Sequence, residues 1–296
     1  LDPSDYGLMS VVGVVLGFAS LFADGGLNAA FVQRLQVTDD ERSSLFWSGI
    51  AIATTVAIAT AACAPLVSWV FRERQLAKLV TVCALVFLCQ APGLQLRAAA
   101  EKELRFGALA IVDVGAALAG ATLAVVLAYS GAGAFALAFG AVGTALVGTV
   151  LAWIAIADGW RPKLHFRWAD TKPFRRFGGT SVANAVVNQV NLSIDLVLGA
   201  RLLTPSALGL FSVPRNFVLQ LQSLVNPVIT RVGFPLISAV QSDRTQVKAL
   251  YLESVSLSAA VNAPIYATIA VLANDLVVVG LGESWGEAGA LLSVLA

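Results

Sequence analysis

Long runs without a charged residue govern what this chain can become. Ser43–Phe71, Leu79–Leu96, Val114–Ala157 and Ser254–Asn274 contain no Asp, Glu, Lys or Arg. Each reaches the roughly 18 residues that an α-helix needs to cross hydrocarbon. The stretch from Val114 to Ala157 is long enough for two crossings, with "SGAGA" at 130–134 as the turn between them. Mean hydropathy is +0.81 and only 12% of residues are charged, about half the fraction in a soluble domain. Such a chain cannot clothe itself in a polar surface, and the pattern predicts an all-α, polytopic membrane protein.

A coarse pass places nine helices, near 6–24, 44–71, 76–96, 107–129, 133–157, 177–201, 207–237, 246–273 and from 285 onward. Trp47, Trp69, Trp153, Trp160, Tyr6, Tyr129 and Tyr251 fall near helix ends, where amphipathic rings prefer the headgroup region. Sidedness follows from the basic residues. The loops after the first, third, fifth and seventh helices hold Arg34 and Arg42; Arg97, Lys102 and Arg105; Arg161, Lys163, Arg167, Lys172, Arg175 and Arg176; and Arg231, Arg244 and Lys248. The opposite loops hold only Arg72, Arg74, Lys78 and Arg201. Positive charge accumulates on the cytoplasmic side, so the richer set is expected there and residue 1 outside. Arg215 alone is placed inside a helix.

The opening phrase "LDPSDYGLMSV" returns from Leu203 as "LTPSALGLFSV". Six helices lie between the copies, an even number that returns the chain to the same face. The halves are therefore expected to be parallel repeats about a pseudo-two-fold axis along the membrane normal, as in many transporters. Each copy suits a helix start: Asp2 and Thr204 as caps, Pro3 and Pro205 in the first turn, Gly7 and Gly209 for close approach. The second copy is preceded by a helix of its own repeat and the first is not. The expected whole is two six-helix bundles, truncated here at both ends. Residues 1–160 form an N-terminal bundle without its first helix, 161–175 a basic cytoplasmic linker, and 176–296 an incomplete C-terminal bundle. Small residues at spacing four (Ala116, Gly120, Ala124 and Ala128; then Ala136, Gly140, Thr144 and Gly148) predict closely packed helices rather than chemistry.

Chemistry is sought where polar groups enter the spans, because they are costly there. Asn184, Asn188, Asn191 and Asp195 recur on one helical face, suited either to interhelical hydrogen bonding or to lining a cavity. Asp24 closes a span ahead of Gly25, Gly26, Asn28 and Arg34; Asp113 sits inside one, with Arg105 as its candidate partner. Arg215 stands beside Asn216, and its repeat-mate is Gly13; Asp24 is matched by Asn226. A guanidinium offers a two-pronged donor suited to phosphate oxygens, while pairing with Asp24 or Asp195 is its structural alternative. Cys63, Cys83 and Cys89 lie within spans without metal-ligand spacing, and His165 is the only histidine. No catalytic triad and no metal site can be assembled from them.

"FADGGLNAAFVQRL", "EKELRFGALA" and "FRRFGGTSVANAVVNQVNLSIDLVLGARLLTPSALGLFS" resemble the bacterial polysaccharide flippases, a branch of the multidrug/oligosaccharidyl-lipid/polysaccharide exporter superfamily. The resemblance covers the whole chain. It implies a non-enzymatic carrier of undecaprenyl-pyrophosphate-linked oligosaccharide, working by alternating access in the bacterial inner membrane. Asp24 resembles a cavity acid of the related lipid II flippases, and Arg215 their phosphate-binding arginine. The implied substrate contacts are Arg215, Asn184, Asn188, Asn191, Asn216 and Asn28, with Asp24, Asp195 and Asp113 as coupling or cavity acids. No cofactor and no nucleic acid are implied. A coupling Na+ or H+ stays open, and polysaccharide polymerase or assembly proteins are the expected partners beside membrane lipid. A cation-coupled multidrug antiporter is the nearest alternative, and a membrane-embedded polymerase or ligase a more distant one, disfavoured by short outer loops.

Overall fold

The computed structural model describes residues 1–23, 31–32, 34, 37–239 and 244–296, with side chains described except over 168–184 and 224–245. Asp24 and Asn28 lie outside the described residues, and the side chains of Asn184 and Asn226 do too. Among the described residues there is no strand. Nine α-helices are placed among those residues, in order: α1 Pro3–Ala23, α2 Asp39–Phe71, α3 Arg74–Lys102, α4 Phe106–Tyr129, α5 Ala134–Ala155, α6 Trp168–Leu202, α7 Pro205–Ala239, α8 Arg244–Leu281 and α9 Gly286–Leu295. Six helices are long and apolar enough to cross a membrane, α1 to α5 and the Gln246–Leu281 portion of α8. The chain is an all-α, multi-pass membrane protein.

Several helices run past the apolar segments that announce them. Helix α2 has 33 residues, about 50 Å at 1.5 Å per residue, against about 30 Å of hydrocarbon. Its polar first turn is fixed by a reciprocal cap: the Glu41 amide donates to Thr38 Oγ1 at 3.3 Å, and the Thr38 amide donates to the Glu41 carboxylate at 2.9 Å. Arg72 ends the helix in the left-handed region, at φ 58°. The extension corrects the placement of basic residues. Arg97 and Lys102 are helical residues of α3, and Arg231, Arg244 and Lys248 lie within α7 and α8. Arg215 is thus not the sole basic residue inside a helix. Hydropathy sees the end of an apolar run, whereas helix propagation continues through charged residues that reach water.

By contact the chain divides into two compact units, Leu8–Leu203 with Leu1, and Thr204–Ala296 with Asp2–Gly7. That division follows packing, while the boundary at 160–176 followed sequence repetition.

In the first unit, the small-residue stripes are the contact between α4 and α5. A Cβ on Gly120 would stand 2.7 Å from the Gly140 carbonyl oxygen and also strike Thr144 Oγ1; one on Gly140 would stand 2.8 Å from the Ala124 methyl group. Backbones this close gain dispersion and leave no room for side chains. One end of the unit is strapped by the segment after α5. The Lys163 amide donates to Ser43 Oγ at 3.2 Å and the Arg167 amide to Ser44 Oγ at 3.3 Å, while Trp47 Nε1 donates to the Lys163 carbonyl at 2.8 Å. Arg42 lies 4.1 Å over the Trp160 ring, and Arg105 pairs with Asp158. The loops assigned to one face from their charge therefore do share one end of this unit.

In the second unit, Trp285, Val218, Ile269 and Ala273 form the core with α9, and Tyr6 meets Trp285 edge-on at 5.1 Å. The two copies of the opening phrase meet here. A Cβ on Gly7 would lie 2.7 Å from the Pro205 carbonyl carbon, and one on Gly209 would lie 2.6 Å from that of Pro3. The contact is reciprocal, with each motif's glycine set against the other motif's proline. Thr204 Oγ1 caps the second copy by accepting from the Ala207 amide at 3.3 Å. In the first copy the roles reverse: the Asp2 amide donates to the Asp5 carboxylate at 3.0 Å.

Candidate transport site

Three polar features stand out on the long helices. Helix α6 is continuous from Trp168 to Leu202, so Asn184, Asn188, Asn191 and Asp195 do fall on one face. Within the first unit Asn188 and Asn191 are exposed and Asp195 is half-buried. The neighbouring face turns inward. Gln189 Nε2 donates to Ser193 Oγ at 2.9 Å, Ser193 is buried, and a Cβ on Gly17 of α1 would touch the Gln189 amide group at 2.5 Å. Gln189 and Ser193 are thus bonded to each other within α6, with Gln189 packed beside Gly17 of α1, while Asn188 and Asn191 are exposed.

The second feature was half-legible. Asp113 of α4 pairs with Arg97 of α3 at 2.8 Å, not with Arg105, which is engaged by Asp158 and by the carbonyl of Ala155 at 3.2 Å. The pair sits in a groove of about 290 Å³ among α3, α4 and α5, whose polar lining also includes Gln90, Thr144 and Thr149. Gln90, Leu94 and Arg97 share a face of α3 at helical spacing, and a glycine at 148 makes space for the guanidinium: a Cβ there would stand 3.4 Å from Arg97 Nη2. Thr149 Oγ1 donates to the Cys89 carbonyl at 2.7 Å, which ties α5 to α3 along the groove. Arg97 was missed because it follows an apolar run and reads as a loop residue. Its signal was its position at one end of the Gln90 face.

The third feature is Arg215, on α7 in the second unit. It is half-buried, beside an exposed Asn216, and its Nη1 donates to Asn216 Oδ1 at 3.3 Å. Arg215 and Asn216 belong to the second unit, and Asn188, Asn191 and Asp195 to the first. Among the described residues, no group of three or more His, Cys, Asp or Glu side chains is placed to hold a metal ion. Cys83 is buried, Cys63 is exposed, and neither forms a disulfide with Cys89.

At the basic end, the ammonium of Lys163 donates to Asp40 at 2.8 Å. This hydrogen bond holds Asp40 below its usual carboxylate range and Lys163 above its usual range. Both partners of this pair are therefore charged at neutral pH.

These features define a class: a polytopic helical membrane protein whose long helices carry a half-buried guanidinium, an ion pair and exposed amides. The chain belongs to a polysaccharide biosynthesis protein family, whose model matches residues 1–290. It is 28% identical over 295 residues to the lipopolysaccharide biosynthesis protein WzxC of Escherichia coli K12, covering 100% of this chain and 60% of that protein. It is 24% identical over 279 residues to the teichuronic acid biosynthesis protein TuaB of Bacillus subtilis 168, covering 94% and 58%. It is 23% identical over 296 residues to the succinoglycan biosynthesis transport protein ExoT of Rhizobium meliloti 1021, covering 100% and 60%. The chain spans 58–60% of the length of these relatives. No solved structure matches it.

Proposed function

We propose that this protein moves lipid-linked oligosaccharide from the cytoplasmic to the outer leaflet of a bacterial inner membrane by alternating access between two helical bundles. The observation that carries the reading is Arg215, a half-buried guanidinium within a helix of a chain that belongs to a polysaccharide biosynthesis family. A guanidinium offers a two-pronged donor that suits the phosphate oxygens of a pyrophosphate on the lipid carrier. Asn188, Asn191 and Asn216, which are exposed in their units, hydrogen-bond sugar hydroxyls, and Asn184 and Asn28 extend that set. Asp195, Asp24 or Asp113 exchanges a coupling Na+ or H+. For Asp113 this requires release from Arg97, so its exchange would be tied to a change in the α3–α4 groove. No bond of the cargo is broken, and the protein works beside the polymerase and assembly proteins that consume the carrier.

The reciprocal glycine contact supports the two-bundle reading, since equivalent residues that meet each other lie on a local two-fold relation. The transport relative among the similar proteins supports translocation over synthesis. Replacing Arg215 with Ala is expected to abolish surface polysaccharide in a complementation assay, with membrane insertion intact by immunoblot. Complementation at the wild-type level would sink the role given to Arg215.

A further inference from the structure

The end of the first unit opposite the basic strap carries few basic residues, Arg72, Arg74, Lys78 and Arg201. Three of these four converge on one cavity. Arg72 ends α2, Arg74 opens α3 and Arg201 lies in the last turn of α6; together with Pro65, Ser68 and Trp69 they line a cavity of about 440 Å³. That volume falls in the range of small-molecule sites, about 300–1,000 Å³, and exceeds what a single ion fills. Basic residues are depleted on the outer face of membrane proteins, so their convergence there needs a cause.

Helix capping accounts for part of one guanidinium only. Arg201 Nη1 donates to the Val70 carbonyl, a sound use of a cation at a helix C-terminus, and leaves its remaining N–H donors free for another acceptor. Arg74 stands at the start of a helix, where the helix dipole disfavours a cation. Among the described residues, no carboxylate pairs with Arg72, Arg74 or Arg201, although Glu73 lies between two of them in sequence. Trp69, 76% exposed, fixes the depth: an exposed indole at a span's end sits at the headgroup level.

We infer that this cavity binds the phosphate of a lipid headgroup in the outer leaflet, through Arg72, Arg74 and Arg201 beside Trp69. Guanidinium groups pair with phosphate oxygens in two-pronged fashion, and three of them suit one or two phosphate groups. The phosphate comes from one of two sources, an anionic phospholipid of the bilayer or a polyprenyl phosphate or pyrophosphate carrier. Only the carrier source rests on the proposed function.

The test uses the complete protein in nanodiscs, with retained lipid counted by native mass spectrometry. One arm holds phosphatidylglycerol in phosphatidylcholine, and the other adds undecaprenyl phosphate or pyrophosphate to phosphatidylcholine alone. The variant is Arg72→Asn with Arg74→Gln, which breaks no hydrogen bond seen in the structure and keeps a left-handed-tolerant residue at 72. Arg161→Gln with Arg167→Gln removes equal charge from the opposite end as a control. Loss of two cationic contacts is expected to weaken retention on the order of tenfold to thirtyfold in at least one arm, with the control unchanged and unfolding temperatures alike. An effect confined to the phosphatidylglycerol arm assigns a bilayer phospholipid, and one in the undecaprenyl arm assigns the carrier. Equal retention by wild type and variant in both arms, or an equal loss in the control, overturns the inference. Failure of Arg215→Ala to impair transport leaves the phosphatidylglycerol arm untouched, so the two proposals fail separately.

Discussion

Gly7 and Gly209 make a sharp quantitative prediction, because each faces the other motif's proline carbonyl. A methyl group on Gly7 would stand 2.7 Å from the Pro205 carbonyl carbon and 3.0 Å from the Gly209 amide nitrogen, where ordinary contact begins at 3.4 Å. The helices must part by at least about 0.7 Å to admit it, and further to clear the carbonyl oxygen. Overfilling a close-packed contact costs about 1–3 kcal/mol. Gly7→Ala and Gly209→Ala are each expected to lower the unfolding temperature by several degrees, taking about 2–4 °C per kcal/mol for a chain of this size.

The double variant is more informative than either single one. One parting of the helices makes room for both methyl groups, so the second substitution meets a gap that the first has opened. Its loss should be close to that of a single variant, giving a coupling of about 1–3 kcal/mol in the double-mutant cycle. Thermal unfolding in nanodiscs, followed by fluorescence, measures all four corners of the cycle. Strictly additive losses would mean that the two glycines act at independent contacts, and unchanged melting of both single variants would refute the close approach itself.

Four further outcomes follow from the same structure. Asp113→Asn leaves the Arg97 charge without its partner in an apolar helix and should destabilise by about 1–2 kcal/mol, below the 3–5 of a fully buried pair because both side chains keep some exposure; adding Arg97→Gln should restore much of the loss. Gly120→Val at the α4–α5 contact should lower stability by about 1–3 kcal/mol by calorimetry, for Thr144 and the Gly140 carbonyl have no space to yield. Gly13→Ala should instead be neutral or stabilising by about 0.5–1 kcal/mol, since nothing lies within 4 Å of the added methyl group. The Asp40–Lys163 pair should stay intact from about the ordinary carboxylate value of 3.8 to the ordinary ammonium value of 10.5. Asp40, held low, loses its contribution as pH falls through its folded value, and Lys163, held high, loses its own as pH rises through its folded value. Protection of the amides across 160–167, measured relative to their intrinsic exchange rates, should therefore fall only outside that window, with little change in global stability for so exposed a pair.

What could be read from the sequence was what depends on local pattern. Charge-free runs placed α2 to α5 and much of α8, and spacing-four Gly and Ala placed the α4–α5 contact, because both are one-dimensional consequences of helix geometry. The ends of helices were less legible. Thr38 and Glu41 make a polar helix start that hydropathy skips, and α3 runs on through Arg97 to Lys102. Side-chain partners were least legible, since they depend on rotation between helices. Arg105 is near Asp113 in sequence yet belongs to Asp158, and Arg97 reaches Asp113 across a helix pair. The same holds on α6: periodicity found the Asn188, Asn191 and Asp195 face, but only the structure shows Gln189 packed beside Gly17 of α1. Two arginine-bearing loops distant in sequence, at 72–74 and 201, came together for the same reason.

Glycine at equivalent places in the two repeats separates scaffold from function on steric grounds. At Gly7 and Gly209 both copies keep glycine, and both positions are filled to the point that a methyl group cannot enter. At Gly13 the first copy keeps glycine with open space around it, while the second copy places the half-buried Arg215 there. Packing therefore demands glycine at the shared pair and demands nothing at position 13. Steric demand thus explains the shared glycines and does not explain the charge at Arg215. That difference between the copies fits the cargo proposed above, whose anionic end a guanidinium would meet.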